Sequence, residues 1–146
     1  MKTLLLPLMP WLTRIAGLVY IGYAIAKIID PTDFLKAVHG YGILPAEPFW
    51  LLNGAGIALP WLELLGGFAL LLGPLRRGAG LVLSALLFAF TAAVLWRSLG
   101  IASDLGQSWF AVAFDCGCGT GVVVAWQKIA SNVLLFCATL AALRRP

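Results

Sequence analysis

Four stretches of the chain, residues 10–29, 49–72, 78–96 and 122–143, are each apolar over close to the ~20 residues that carry an α-helix across ~30 Å of hydrocarbon. Lipid offers no water to an unpaired backbone N–H or C=O, so a span must satisfy its own hydrogen bonds, and runs this long and continuous do so as helices. The sequence therefore predicts an all-α polytopic membrane protein: a single membrane domain over 1–146, built as a four-transmembrane-helix bundle. Segments 30–48 and 97–121 are the loops on one side. A soluble domain is excluded by composition, because 62% of residues are hydrophobic and 11% charged, more apolar surface than one small core can hide. The opening Met1-Lys2-Thr3-Leu4-Leu5-Leu6 resembles the start of a signal peptide. Arg14 interrupts the apolar run, no small-x-small cleavage site follows, and the pattern continues to Ile29, so the segment is read as retained.

Arg76 and Arg77 between the second and third spans, Arg144 and Arg145 at the end, and Lys2 at the start fall on one side if the spans alternate. By the positive-inside rule that side is the cytoplasm, which places both termini there, in the inner membrane of a bacterium. The net charge of +4 is then an orientation signal. Nucleic acid is not an expected partner, since the basic residues are scattered pairs and form no stripe interleaved with aromatics. The lipid bilayer is.

The second outer segment carries Cys116-Gly117-Cys118. A close thiol pair facing the periplasm sits in an oxidising compartment. With one residue between the sulfurs, a disulfide is forced from its preferred dihedral and becomes exchange-competent rather than a structural staple. It would also constrain almost no loop entropy. Cys116 and Cys118 are therefore the catalytic candidates, for thiol–disulfide exchange. The alternative is soft-metal binding or transfer (copper, zinc or mercury) by the same two thiolates, but a closed site wants three or four donors. Asp115 is adjacent, His39 lies on the other outer segment, and Cys137 is about 19 residues further on, roughly 20 Å or more down the fourth helix. No tightly bound metal is expected, and Cys137 reads as a small buried apolar residue.

Several residues are candidates for supporting roles. On the fourth span Lys128 and Asn132 share a face at i, i+4; Lys128 either favours a thiolate or snorkels to headgroups, and Asn132 reads as glue between helices. Glu63 in the second span and Arg14 in the first are intramembrane charges expected to pair, either for function or as a brace, with proton transfer at a quinone another role for Glu63. His39, the one histidine, is a candidate proton shuttle or a solvated loop residue. Among tryptophans at the outer boundary, Trp109 and Trp126 either anchor the interface or flank a flat ring such as a quinone head group beside the thiols. Gly17, Gly22, Gly54, Gly66, Gly67 and Gly80 are placed to let helices approach closely. Asp30-Pro31 should end the first helix and start a short amphipathic one carrying Phe34 and Val38.

Arg14 with Gly17, Lys27-Ile28-Ile29-Asp30-Pro31 followed by Phe34, Tyr41-Gly42-Ile43-Leu44-Pro45, Pro60-Trp61-Leu62-Glu63 with Gly66, and Cys116-Gly117-Cys118-Gly119 occur here in an order that resembles the MauE branch of the DoxX-like membrane proteins. The resemblance covers nearly the whole chain. It implies a four-helix inner-membrane protein that works with periplasmic thioredoxin-like partners in handling disulfides. MauE proteins are tied to maturation of the disulfide-rich small subunit of methylamine dehydrogenase, and DoxX relatives to quinone-linked sulfur oxidation. The function expected is thus a membrane thiol–disulfide redox protein passing electrons between a thioredoxin-like partner and a quinone; a non-enzymatic assembly subunit of a redox enzyme is the other reading the family admits. One departure stands out: an aromatic and a glycine often follow the second cysteine in the family, whereas Gly119-Thr120-Gly121 follows it here.

Overall fold

A computed structural model describes residues 9–45, 47–73, 75–119 and 121–143; Lys2, Arg144 and Arg145 of the charge argument lie outside them. Among the described residues four helices are long and apolar enough to cross a membrane: Pro10–Ile29, Phe49–Leu72, Arg76–Leu105 and Ala125–Leu143. They belong to α1 (Met9–Ile29), α3 (Phe49–Leu72), α4 (Arg76–Leu105) and α5 (Ala125–Leu140), the last closing in a 3-10 turn over Ala141–Leu143. The protein is an all-α polytopic membrane protein. Leu18, Ile25, Leu65, Phe88 and Leu134 project from the outside of the bundle, where lipid rather than water surrounds them.

α1 stops where its sequence says it should. Pro31 lacks an N–H and disfavours a helical residue before it, and Asp30 restarts the chain as an N-cap, its Oδ1 accepting from the Asp33 N–H at 3.1 Å and from the Thr32 hydroxyl at 2.7 Å. These hydrogen bonds, the Thr32 one first, hold the Asp30 carboxyl below its ordinary range. The result is α2 (Pro31–Gly40), a short helix that buries Phe34 and rests on α3, where Leu35 occupies the space a side chain on Gly56 would need.

The register of α1 on α3 is set by two glycines. A Cβ added to Gly17 would lie 2.7 Å from the Gly67 carbonyl oxygen, and one on Gly67 2.9 Å from the Gly17 oxygen, so backbone meets backbone there. Gly66 gives way to Leu83 of α4, and Gly80 to Ala142. Gly22 and Gly54 have nothing within 4 Å of an added Cβ; the expectation that they mediate close approach is corrected.

The third helix is longer than its apolar run. Expected to end at residue 96, it continues to Leu105, because Arg97 sits on its exposed side while Ser98 turns inward and is fully buried. Gly106, at φ 59, stops it, with the Gln107 N–H returning to the Ala102 carbonyl at 3.1 Å. The connecting segment that remains is compact: a 3-10 turn at Trp109–Ala111, then β1 (Ala113–Asp115) pairing antiparallel with β2 (Val122–Val124), Phe114 opposite Val123. The fourth helix accordingly begins at Ala125, three residues after the expected start, its first N–H donated to Val112 O at 2.9 Å. Two cores result. One, of Ala16, Tyr20, Leu70, Leu83 and Leu87, lies in the bundle; the other, at the hairpin end, packs Tyr41 and Val94 around Cys116 and Cys118.

Candidate functional site

The hairpin between β1 and β2 is folded inward, so that the two cysteines at its turn are buried, Cys116 completely and Cys118 at 3% exposure. Its turn depends on glycine. Gly117 (φ 69) and Gly119 (φ 78) take backbone conformations that L side chains rarely adopt, and each also presses its bare Cα on a neighbour, Gly117 on Ala37 of α2 and Gly119 on Ala26 of α1. The Asp115 carboxylate accepts the Gly117 N–H at 2.8 Å, and the Tyr41 hydroxyl donates to the Cys116 carbonyl at 2.9 Å. Tyr41 stands edge-on to Phe114 and Phe90, ring centres 6.3 and 6.1 Å away. Burial and those sulfur neighbours push its hydroxyl well above the ordinary phenol range, so it remains a donor.

The two thiols, both free, are not equivalent. Cys118 donates toward Cys116, to its carbonyl oxygen at 3.7 Å and to its sulfur. That hydrogen bond, helped by the Lys128 charge and opposed by burial, draws the Cys116 thiol down to about 6 from 9.0. The same bond, together with burial, pushes Cys118 far up. At neutral pH the pair thus holds one proton, on Cys118, with the thiolate on Cys116.

Lys128, one turn into α5, is buried at 5% exposure with its Nζ 4.5 Å from the centre of the Tyr23 ring. It points into the bundle beside the thiols and does not snorkel outward. Asn132, one turn further, donates to the Thr91 hydroxyl of α4 at 3.0 Å, the interhelical glue its position suggested. Because Lys128 contributes to the low Cys116 pKa, Lys128→Met is expected to move that midpoint upward from about 6. The sign is that thiolate forms as pH rises through the midpoint, so at pH 7 the variant holds less of it. Ultraviolet thiolate absorbance titrated against pH, with Cys116→Ser as the blank, measures the shift.

Glu63 does not pair with Arg14. Its two carboxylate oxygens accept from Lys27 Nζ at 2.7 and 2.6 Å, with Lys27 5% and Glu63 16% exposed. The reason is register: the Gly17–Gly67 contact lines Arg14 up near the far end of α3, while Lys27 reaches down from the hairpin end, its ammonium also lying 5.0 Å from the Phe34 ring and 5.6 Å from Phe90. Arg14 is exposed and stacks on Trp11, 5.7 Å from its ring centre.

Lys27, Glu63, Tyr23, Phe90, Lys128 and Cys118 surround a chamber of about 20 Å³, room for about one water. Other candidates fall elsewhere. His39 is on the exposed side of α2. Trp109 donates from Nε1 to Ser98 Oγ at 2.8 Å, Trp126 is 42% exposed, and neither lines this chamber or the cavities beside it. Cys137, expected to be buried, is exposed on the outer face of α5. Among the described residues no three metal-type side chains cluster, which leaves the two sulfurs as a two-donor set. Tyr41 and Lys27 carry the site and were not singled out for it, although a lysine inside an apolar run is itself a signal that a partner must exist.

Four membrane-length helices closed at one end by a hairpin with two buried, unequal thiols define a multi-pass membrane protein with a thiol centre at one end of its bundle. More particularly, the chain belongs to the MauE family: the family model described as methylamine utilisation protein MauE matches residues 5–145. No curated protein and no solved structure matches the chain.

Proposed function

We propose that this protein is a thiol–disulfide redox protein of the bacterial inner membrane, its hairpin end facing the periplasm, that moves electron pairs between a thioredoxin-like partner and a membrane quinone. The observation that carries the reading is the buried pair of free thiols, with Cys118 Sγ 3.7 Å from the Cys116 carbonyl oxygen and the buried Lys128 lining the same chamber as Cys118, a setting that favours thiolate at Cys116 over Cys118. Exchange needs a thiolate nucleophile and a second thiol to resolve the intermediate. In the reducing direction Cys116 sulfur attacks one sulfur of the partner's disulfide and the partner's other sulfur leaves as thiolate. Cys118 then gives its proton to the partner's first departing thiolate, attacks Cys116 and releases the partner's second sulfur as a thiolate that takes a proton from solvent, leaving the Cys116–Cys118 disulfide. In the oxidising direction every step reverses. Burial of both sulfurs means that the hairpin opens for the partner to reach them.

Orientation rests on Arg76 and Arg77, which begin α4 at the end opposite the thiols. The family's description supports a role in methylamine utilisation.

The test uses the full chain in lipid nanodiscs. Reduced protein mixed with an oxidised thioredoxin-fold protein, followed by a mass tag for free thiols, is expected to show Cys116 and Cys118 losing two tags together as the partner gains two. Thiols that stay free at every partner potential would sink the proposal, and stoichiometric retention of copper or zinc that blocks tagging would favour the soft-metal reading instead.

A further inference from the structure

The chamber at Cys118 shares a wall with a larger cavity. That cavity, about 210 Å³, lies between α3 and α4 beneath α2 and is bounded by Phe34, Leu59, Leu86 and Ala93. Three residues line both spaces: Lys27, Glu63 and Phe90. Around it the outer surface of the two helices is apolar, with Ile57, Leu62 and Phe88 exposed, so a lipid-soluble molecule reaches it from the bilayer without crossing water. The size is below that of a drug-sized pocket of about 300 Å³ and upward, and suits one substituted ring whose tail stays in lipid.

An acyl chain would fill such a space without a buried charge. Here the one ion pair of this depth among the described residues forms part of the lining, at a cost in desolvation that an apolar pair would avoid. The Lys27 ammonium has three N–H donors, of which Glu63 takes two, leaving one for an acceptor. A quinone is such a ligand: its two carbonyl oxygens accept and cannot donate, and its flat ring packs against Phe34 and Phe90.

We propose that this cavity binds the head group of a membrane quinone, with Lys27 and Glu63 forming the polar gate between the ring and the Cys116–Cys118 pair. The inference rests on the thiol redox reading above and supplies its membrane-side acceptor. The balance is as follows. Cys116 thiolate and Cys118 thiol form an S–S bond, the Cys118 S–H bond breaks, and two electrons pass to the quinone. The quinone takes two protons to become hydroquinone, one from Cys118 and one through the Lys27–Glu63 pair from solvent. Run backward, hydroquinone reduces the disulfide.

The experiment follows the ultraviolet bleaching of decylubiquinone by the pre-reduced full chain in nanodiscs, beside the reaction of the same thiols with a small soluble disulfide. Leu59→Trp, which fills the cavity, is expected to slow quinone reduction by about tenfold or more while the soluble reaction stays within about twofold. Since a bulky substitution can also disturb packing, a photoreactive azidoquinone on the unaltered protein provides a second readout, with labelling expected in the segments around Leu59 and Phe90. Unchanged quinone reduction in Leu59→Trp, or labelling around Trp109 and Trp126 instead, overturns the assignment. Protein that reacts with the soluble disulfide but neither reduces nor is labelled by quinone overturns it and leaves the redox reading standing; thiols inert to both reagents overturn the two together.

Discussion

Replacing Cys116 with serine is expected to reduce disulfide exchange to the uncatalysed background, whereas replacing Cys118 stops turnover one step later and lets a mixed disulfide with the partner accumulate. The asymmetry follows from the proton. Cys116, held down to about 6, is thiolate at neutral pH and attacks; Cys118 carries the proton and resolves. With Cys118 gone, Cys116 also loses the hydrogen bond that lowers its pKa, so its attack slows at pH 7 and recovers as pH is raised. Both sites are buried, and a serine hydroxyl there that finds no partner costs about 1–3 kcal/mol. Alanine at the same positions avoids that penalty and serves as the control for folding. Non-reducing gels read the trapped adduct and thermal unfolding reads the fold. Equal trapping by both variants would show that the two sulfurs interchange, and full exchange in both would remove Cys116 and Cys118 from the mechanism.

The spans and the thiol pair were legible because both depend on local sequence. An apolar run near 20 residues cannot avoid being a helix in lipid, and the Cys-Gly-Cys turn is its own signal. What escaped depends on register and on which way a side chain faces. The charge at Arg97 interrupts the apolar run of the third helix, yet Arg97 is exposed while Ser98 is buried, and the helix goes on to its glycine cap at Gly106, the better stop signal. Intramembrane charge alone suggests Arg14 as the partner of Glu63, but the close Gly17–Gly67 contact sets a register that brings Lys27 there instead. Cys137 illustrates the same limit: its residue type favours burial, but in a membrane an outward face is also apolar, so residue type does not say which side it takes. Tyr41 reaches Cys116 only because α2 folds back over the bundle end, a tertiary fact with no local trace.

Removing one member of the buried Lys27–Glu63 pair is expected to cost far more than removing both. Lys27→Met leaves a carboxylate in an apolar wall, and Glu63→Leu leaves an ammonium; breaking a buried pair in this way typically destabilises by about 3–5 kcal/mol. The double variant, with two apolar side chains of similar size, should recover most of the lost stability, as read by unfolding of the full chain in a denaturing detergent. That recovery separates brace from function. If the pair only fixes the packing of α1 on α3, the refolded double variant reduces quinone and exchanges disulfides as the parent does. A gate that hydrogen-bonds the quinone and passes its proton predicts a different split: disulfide exchange at Cys116 persists, because that chemistry lies on the hairpin side, while quinone reduction falls. Two stable proteins of the same fold, differing only in that wall, would then show that an ion pair costly to bury is retained for the reaction it serves.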